Sequence, residues 1–133
     1  MIEELYINDA KRIREEYLNN LIYIASEEDN IKSLTSDLEQ IGKDIEESDS
    51  KSDTFYRDAL FEVEKMIKKA TEKIVPYYEK IKDLDKQQRK LYNTIKDKYP
   101  NLSDDDMKNS IIPHILEIDK KYQEKYGHLL NKS

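Results

Sequence analysis

The sequence predicts an all-α protein: a long antiparallel helical hairpin of coiled-coil character, with a third helix packed on the end where the termini meet. Three observations carry this expectation. The 133 residues include 2 Gly and 3 Pro, so helix breakers are scarce. Charged residues make up 39% and hydrophobic residues 37%, the balance of helices that pair one apolar stripe with solvated outer faces. Apolar residues also recur at heptad spacing over residues 4–47 and 55–98. That regularity separates the chain from a disordered one of similar charge, and the length fits a single domain, 1–133.

The first helix is expected over about residues 4–47. Ala10, Tyr17, Ile24, Ile31, Leu38 and Ile45 take the a positions, and all are apolar. The d positions include Tyr6, Ile13, Leu34 and Ile41, but also the polar Asn20 and Glu27. A break in the helix near Ser26 that turns Glu27 outward is the first explanation. A polar device that fixes register or oligomeric state is the second. The run Ser48-Asp-Ser-Lys-Ser-Asp-Thr54 ends the pattern as a loop, and Asp53 or Thr54 is placed to cap the next helix.

The second helix is expected over about 55–98. Leu60, Ile67, Ile74, Ile81 and Ile95 fill a positions, and Tyr56, Val63, Ala70, Tyr77, Leu84 and Leu91 fill d positions. Pro76 lies inside this run without shifting its phase. It cannot donate to the carbonyl of Glu72, so a kink is expected there rather than a loop.

The short loop forces these helices to run antiparallel. Pairing a with d across it gives partners whose numbers total about 101, which sets Leu38 by Val63, Ile31 by Ala70 and Tyr17 by Leu84. Charge supports the pairing. Residues 1–53 hold 15 acids and 6 bases, whereas residues 54–99 hold 8 acids and 12 bases. Each exposed pair contributes only ~0–1 kcal/mol, but the two helices attract as wholes.

The third helix is expected over about 104–126. Ser103 is a good N-cap, Asp106 completes a capping box, and Leu102 is placed to staple onto Met107. Asp104 and Asp105 favour a helix N-terminus through the dipole. Pro113 interrupts the stripe, with Ser110 placed to restart it, and Gly127 is expected to end the helix, leaving 127–133 as a tail. This helix covers the half of the hairpin nearest the termini. Leu18, Leu21, Ile22 and Ala25 of the first helix and Tyr78 and Tyr92 of the second lie off the seam and are its expected contacts. The remaining arm, about residues 26–75, either stays an extended two-helix rod or folds back at Ser26 and Pro76.

Chemistry for an enzyme is not in view. There is no cysteine, and neither His114 nor His128 belongs to a known metal or catalytic pattern. Glu124 and His128 stand four apart, but with Gly127 between them as a helix end they are not expected to share a face. The run Asp104-Asp105-Asp106 points in successive directions on a helix and suits capping better than a cation. No catalytic residue, cofactor or metal is therefore expected.

No apolar run approaches the length of a membrane span, and Met1-Ile-Glu-Glu-Leu5 lacks the features of a signal peptide. The expected address is cytoplasmic. Lys outnumbers Arg 19 to 4, and Ile, Asn and Tyr are abundant, a usage that fits a low-GC bacterium or its phage and so a virion as an alternative setting.

The function that follows is non-enzymatic: a structural or adaptor protein acting through helix-mediated contact with another chain, itself or a different one. Phe55, Phe61 and Met66 lie off the seam on the arm, beyond the third helix, and are the expected partner-binding residues. The alternative is a nucleic-acid-associated subunit using Lys65, Lys68, Lys82, Lys86, Arg89 and their basic neighbours on the outer face of the second helix. Acids share that face and the net charge is −6, which favours a merely solvated surface.

Overall fold

In the computed structural model, residues 2–47 and 53–131 are described, and they form three helices: α1 (Glu4–Glu47), α2 (Asp53–Lys98) and α3 (Asp104–Leu130). The loop expected over 48–54 falls mainly outside the described residues, as do the capping side chains assigned to Asp53 and Thr54; the backbone is already helical at Asp53. Among the described residues no helix is long and apolar enough to cross a membrane.

α1 and α2 pack along their lengths as the heptads require. Tyr23 stacks on Tyr77 with ring centroids 3.8 Å apart, the Arg12 guanidinium donates to Gln87 at 3.1 Å, and the Lys98 ammonium lies 4.0 Å from Glu3. The numbers of each pair fall within two of the predicted total. Ile13, Ile24 and Leu34 on α1 and Ala70, Ile74, Leu84 and Ile95 on α2 are buried, and all seven are a or d residues.

α1 is unbroken at Ser26, contrary to the first explanation for its polar d residues. Apolar seam on both sides holds the helix through this stretch. Asn20 is half-buried and donates to the Glu16 carbonyl one turn back, so its amide is satisfied within its own helix. Glu27 is half-buried and stays on the seam. The hairpin is accordingly extended rather than folded back. α2 also continues as one helix through Pro76. That residue is exposed, which leaves the donorless Glu72 carbonyl on the solvated side.

The α2–α3 turn is fixed by its own residues. The Tyr99 amide donates to the Ile95 carbonyl and the Leu102 amide to the Tyr99 carbonyl. Ser103 caps α3 by accepting from the Asp106 amide at 3.1 Å, and Leu102 packs on the cluster of Ile2, Ile95 and Met107. Two expectations for the rest of α3 are overturned. Pro113 does not interrupt it, and Ser110 donates back to the Asp106 carbonyl instead of capping a new helix. Nor does Gly127 end it: the backbone deviates at Tyr126 (φ −127°, ψ 17°), then the helix resumes to Leu130, with Leu129 and Leu130 half-buried. Those two apolar contacts favour one more turn over an early stop.

α3 packs on α1 rather than over α2. It runs parallel to α1: Met107 shares a cluster with Ile2, and Arg14 pairs with Asp119. The same offset brings Leu130 to the level of Ala25. Leu18 is buried on this face, as the off-seam apolar residues of α1 required. Of the two α2 tyrosines expected to face α3, Tyr92 meets it through its hydroxyl, which donates to Asp104, whereas Tyr78 donates to Glu28 of α1 instead, and both rings stay exposed.

The molecule is thus three helices thick from the start of α1 and the α2–α3 turn to the level of Ala25, where α3 ends, and two thick along the arm; the last residues of α3 lie mid-rod rather than beside the start of α1. Leu84→Ala, at a side chain only 1% exposed, should cost about 2–5 kcal/mol in urea denaturation. Ile67→Ala, in the half-buried seam of the arm, should cost clearly less, and Lys82→Ala should be near neutral. Equal costs at Leu84 and Ile67 would contradict this two-part structure.

Candidate interaction site

The arm is built from residues 26–47 of α1 and 53–75 of α2, and its seam buries Leu34, Ala70 and Ile74. Two helices have one contact face each, so every other apolar side chain on them faces water. Phe55 is 74% exposed, Phe61 64% and Met66 50%. Phe55 sits at a c position with its ring edge-on to Tyr56 (centroids 5.5 Å), Met66 at g, and Phe61 at b. Phe55 and Met66 are three helical turns apart and share one flank of α2, whereas Phe61 stands on the opposite flank. The structure places all three on the uncovered half but does not gather them into one patch.

The other exposed large apolar residues among those described are Leu5 on α1, Val75, Tyr78 and Tyr92 on α2, and Ile112 and Leu116 on α3. Val75 was legible as a second apolar b residue, two heptads after Phe61. Ile112 and Leu116, four apart and just off the α3 stripe, carried the signal of an apolar strip beside the buried one.

Because α1 is the shared partner, α2 and α3 leave a cleft between them. It holds a cavity of about 310 Å³ lined by Ile13 of α1, Leu84 and Ile95 of α2, and Met107, Ile111 and Ile115 of α3. The polar groups at its mouth are tied to one another. Arg14 donates to both carboxylate oxygens of Asp119 at 2.7 and 3.0 Å, and Asp85 pairs with Arg89 at 3.2 Å. Asp104 accepts from the Tyr92 hydroxyl at 2.9 Å and from the Lys96 ammonium at 3.0 Å, and Lys96 also reaches the Leu102 carbonyl. What the cleft offers a second molecule is mainly apolar surface, with the exposed Gln88 amide beside it.

The basic outer face of α2 is similarly tied up in part. Lys82 lies 3.7 Å from Glu79 and Arg89 3.2 Å from Asp85, while Lys96 holds Asp104. Of the histidines, His114 is half-buried and His128 exposed. Among the described residues no group of three or more His, Cys, Asp or Glu side chains converges as a metal site would require. Comparison of the chain with protein-family models, curated proteins and solved structures returned no match.

The Asp104 clasp has a titration signature. Hydrogen bonds from Lys96 and then Tyr92 hold the Asp104 carboxyl below its ordinary 3.8, and the bond to Asp104 raises the Tyr92 hydroxyl above its ordinary 10.0. A depressed carboxyl contributes stability above its unfolded value and loses it as pH falls through the folded one, so this contribution fades from about pH 3.8 downward. In a carboxyl NMR titration, Lys96→Met should move the Asp104 midpoint upward. An unmoved midpoint would mean that Lys96 does not hold it.

Proposed function

We propose that this chain is a non-enzymatic structural or adaptor protein whose two-helix arm docks on another protein chain within a larger assembly. The observation that carries the reading is the exposure of Phe55, Phe61 and Met66 on a rod too thin to bury them. Burying such side chains is favourable by about 25 cal/mol per Å² of apolar area before association costs, and exposed apolar groups of this kind mark contact surfaces. The setting that suits it is the cytoplasm or a virion, in line with a cysteine-free, Lys- and Asn-rich composition.

A nucleic-acid role for the basic face of α2 has less support. Ion pairs to Glu79, Asp85 and Asp104 use part of that charge, and the chain as a whole is at −6. The test is the double variant Phe55→Ser, Phe61→Ser, followed by sedimentation and by retention of a partner from the native host. Both side chains are mostly in water, so stability should stay within roughly 0.5 kcal/mol of the parent while association is lost. A variant that melts much earlier and loses no association would show that these residues serve the fold instead.

A further inference from the structure

Four apolar side chains on one flank of α2 face solvent: Phe61 (64% exposed), Val75 (55%), Tyr78 (46%) and Tyr92 (41%). Phe61 and Val75 are b residues, and Tyr78 and Tyr92 are e residues, so they are the apolar places of a mixed b/e stripe beside the seam that α1 covers. The four are arranged symmetrically. Phe61 and Tyr92 are equally far from a point between Pro76 and Tyr77, and so are Val75 and Tyr78. An antiparallel helix pair related by a two-fold axis at that point would set each residue against its counterpart on the other copy.

We infer that the partner of this flank is a second copy of the chain, paired antiparallel through α2 with its two-fold axis between Pro76 and Tyr77. This rests on the reading of the exposed apolar residues as an interface, and it assigns that interface to the flank of Phe61. The charges between Phe61 and Tyr92 fit the same register, and beyond them Arg57 comes opposite Lys96, whose ammonium is held by Asp104 at 3.0 Å. The register sets Lys68 against Asp85 of the second copy and Glu64 against Arg89, opposite in sign both times, so the Asp85–Arg89 pair that each monomer already holds at 3.2 Å is flanked by one opposite charge at each end, and two-fold symmetry repeats the arrangement. Thr71 falls opposite Lys82, where no charges conflict. Five successive layers from Phe61 to Val75 therefore come out as two apolar contacts, two charge pairs and one neutral pair. All of these side chains are exposed in the monomer.

The monomer is also shaped to receive the contact. The hydroxyls of Tyr78 and Tyr92 are held by Glu28 and Asp104, which fixes both rings while leaving them exposed. Arg12 pairs with Gln87 and Arg14 with Asp119, which puts the exposed Ile112 and Leu116 of α3 at the level of Tyr92. Phe61 of one copy thus arrives beside Tyr92, which lines the α2–α3 cleft of the other, at the level of Ile112 on α3. Each arm lies along the thicker end of its partner, and both copies gain equally.

The experiment is sedimentation equilibrium on the full chain, with circular dichroism on every variant. The native chain should be a dimer. Val75→Asp, which brings like charges together near the axis, should give a folded monomer. Lys68→Glu should weaken the dimer by about tenfold or more, because it faces Asp85 twice, and adding Asp85→Lys should restore it. Native protein that stays monomeric at millimolar concentration overturns the pairing. It leaves the arm reading standing on Phe55 and Met66, whose replacement by Ser is scored against a host partner. A dimer indifferent to Val75→Asp but lost on Phe55→Ser, Met66→Ser overturns this flank and upholds the arm. Failure of Asp85→Lys to rescue Lys68→Glu overturns the register.

Discussion

The structure depends on one constraint, the antiparallel seam between α1 and α2. Neither helix can bury its apolar stripe alone, and the register that joins them fixes what every other residue can reach. It brings Tyr23 onto Tyr77 and Arg12 to Gln87, and it sets the start of α1 beside the end of α2. There Ile2, Ile95 and Met107 form a buried cluster on which the third helix is founded. The Tyr99 hydroxyl accepts from the Glu3 amide at the same point, so the turn into α3 is tied to the first residues of α1. A slip of the seam by one heptad would separate these partners and leave α3 without its anchor.

The choice α3 makes between its two neighbours follows from the width of their apolar faces. α1 carries Leu18, Leu21 and Ile22 beside its seam, a second stripe that one contact with α2 does not use. α2 offers Tyr78 and Tyr92 among lysines at the corresponding places, and both tyrosines keep polar hydroxyls engaged with carboxylates. Docking on α1 buries more hydrocarbon and strands no polar group. The bidentate contact of Arg14 with Asp119 then locks the offset. The consequence is an uncovered flank along α2 and a cleft beside it, both absent from a bundle in which α3 sits equally on its two partners.

The heptads made the hairpin and its register legible, because a regular stripe of branched apolar residues has one economical pairing. The Ser103 cap was legible for a similar reason: the signal is local and the geometry demands that residue type. The misreadings were places where tertiary packing overrode a local signal. Ser26-Glu-Glu-Asp29 resembles a helix start and Pro113 a break, yet each lies inside a helix whose neighbouring turns are held by packing, and the signal at Gly127 marks a kink at Tyr126 after which the helix resumes. The side on which α3 docks was not legible, since both neighbours showed off-seam apolar residues and hydropathy alone does not rank them. Exposure of Phe55, Phe61 and Met66 followed directly from the arm being two helices thick. Their division between opposite flanks required the helical phase to be compared as well as the positions.

The uneven thickness of the rod gives the proposed pairing its physical sense. The arm buries few side chains, so it is the part of the hairpin with the lowest local stability and the part most open to stabilisation by a neighbour. α3 stops near the level of Ala25, opposite the stretch of α2 that holds Pro76. The two-fold axis inferred for α2 falls at that same level. An antiparallel pair centred there sets the thin half of each copy along the thick half of the other, and no arm is left as an isolated helix pair. Pairing centred elsewhere would leave part of both arms bare or press the two bundles together. The boundary between two and three helices thereby specifies where a second copy gains most, and the side chains of α2 are distributed symmetrically about that boundary.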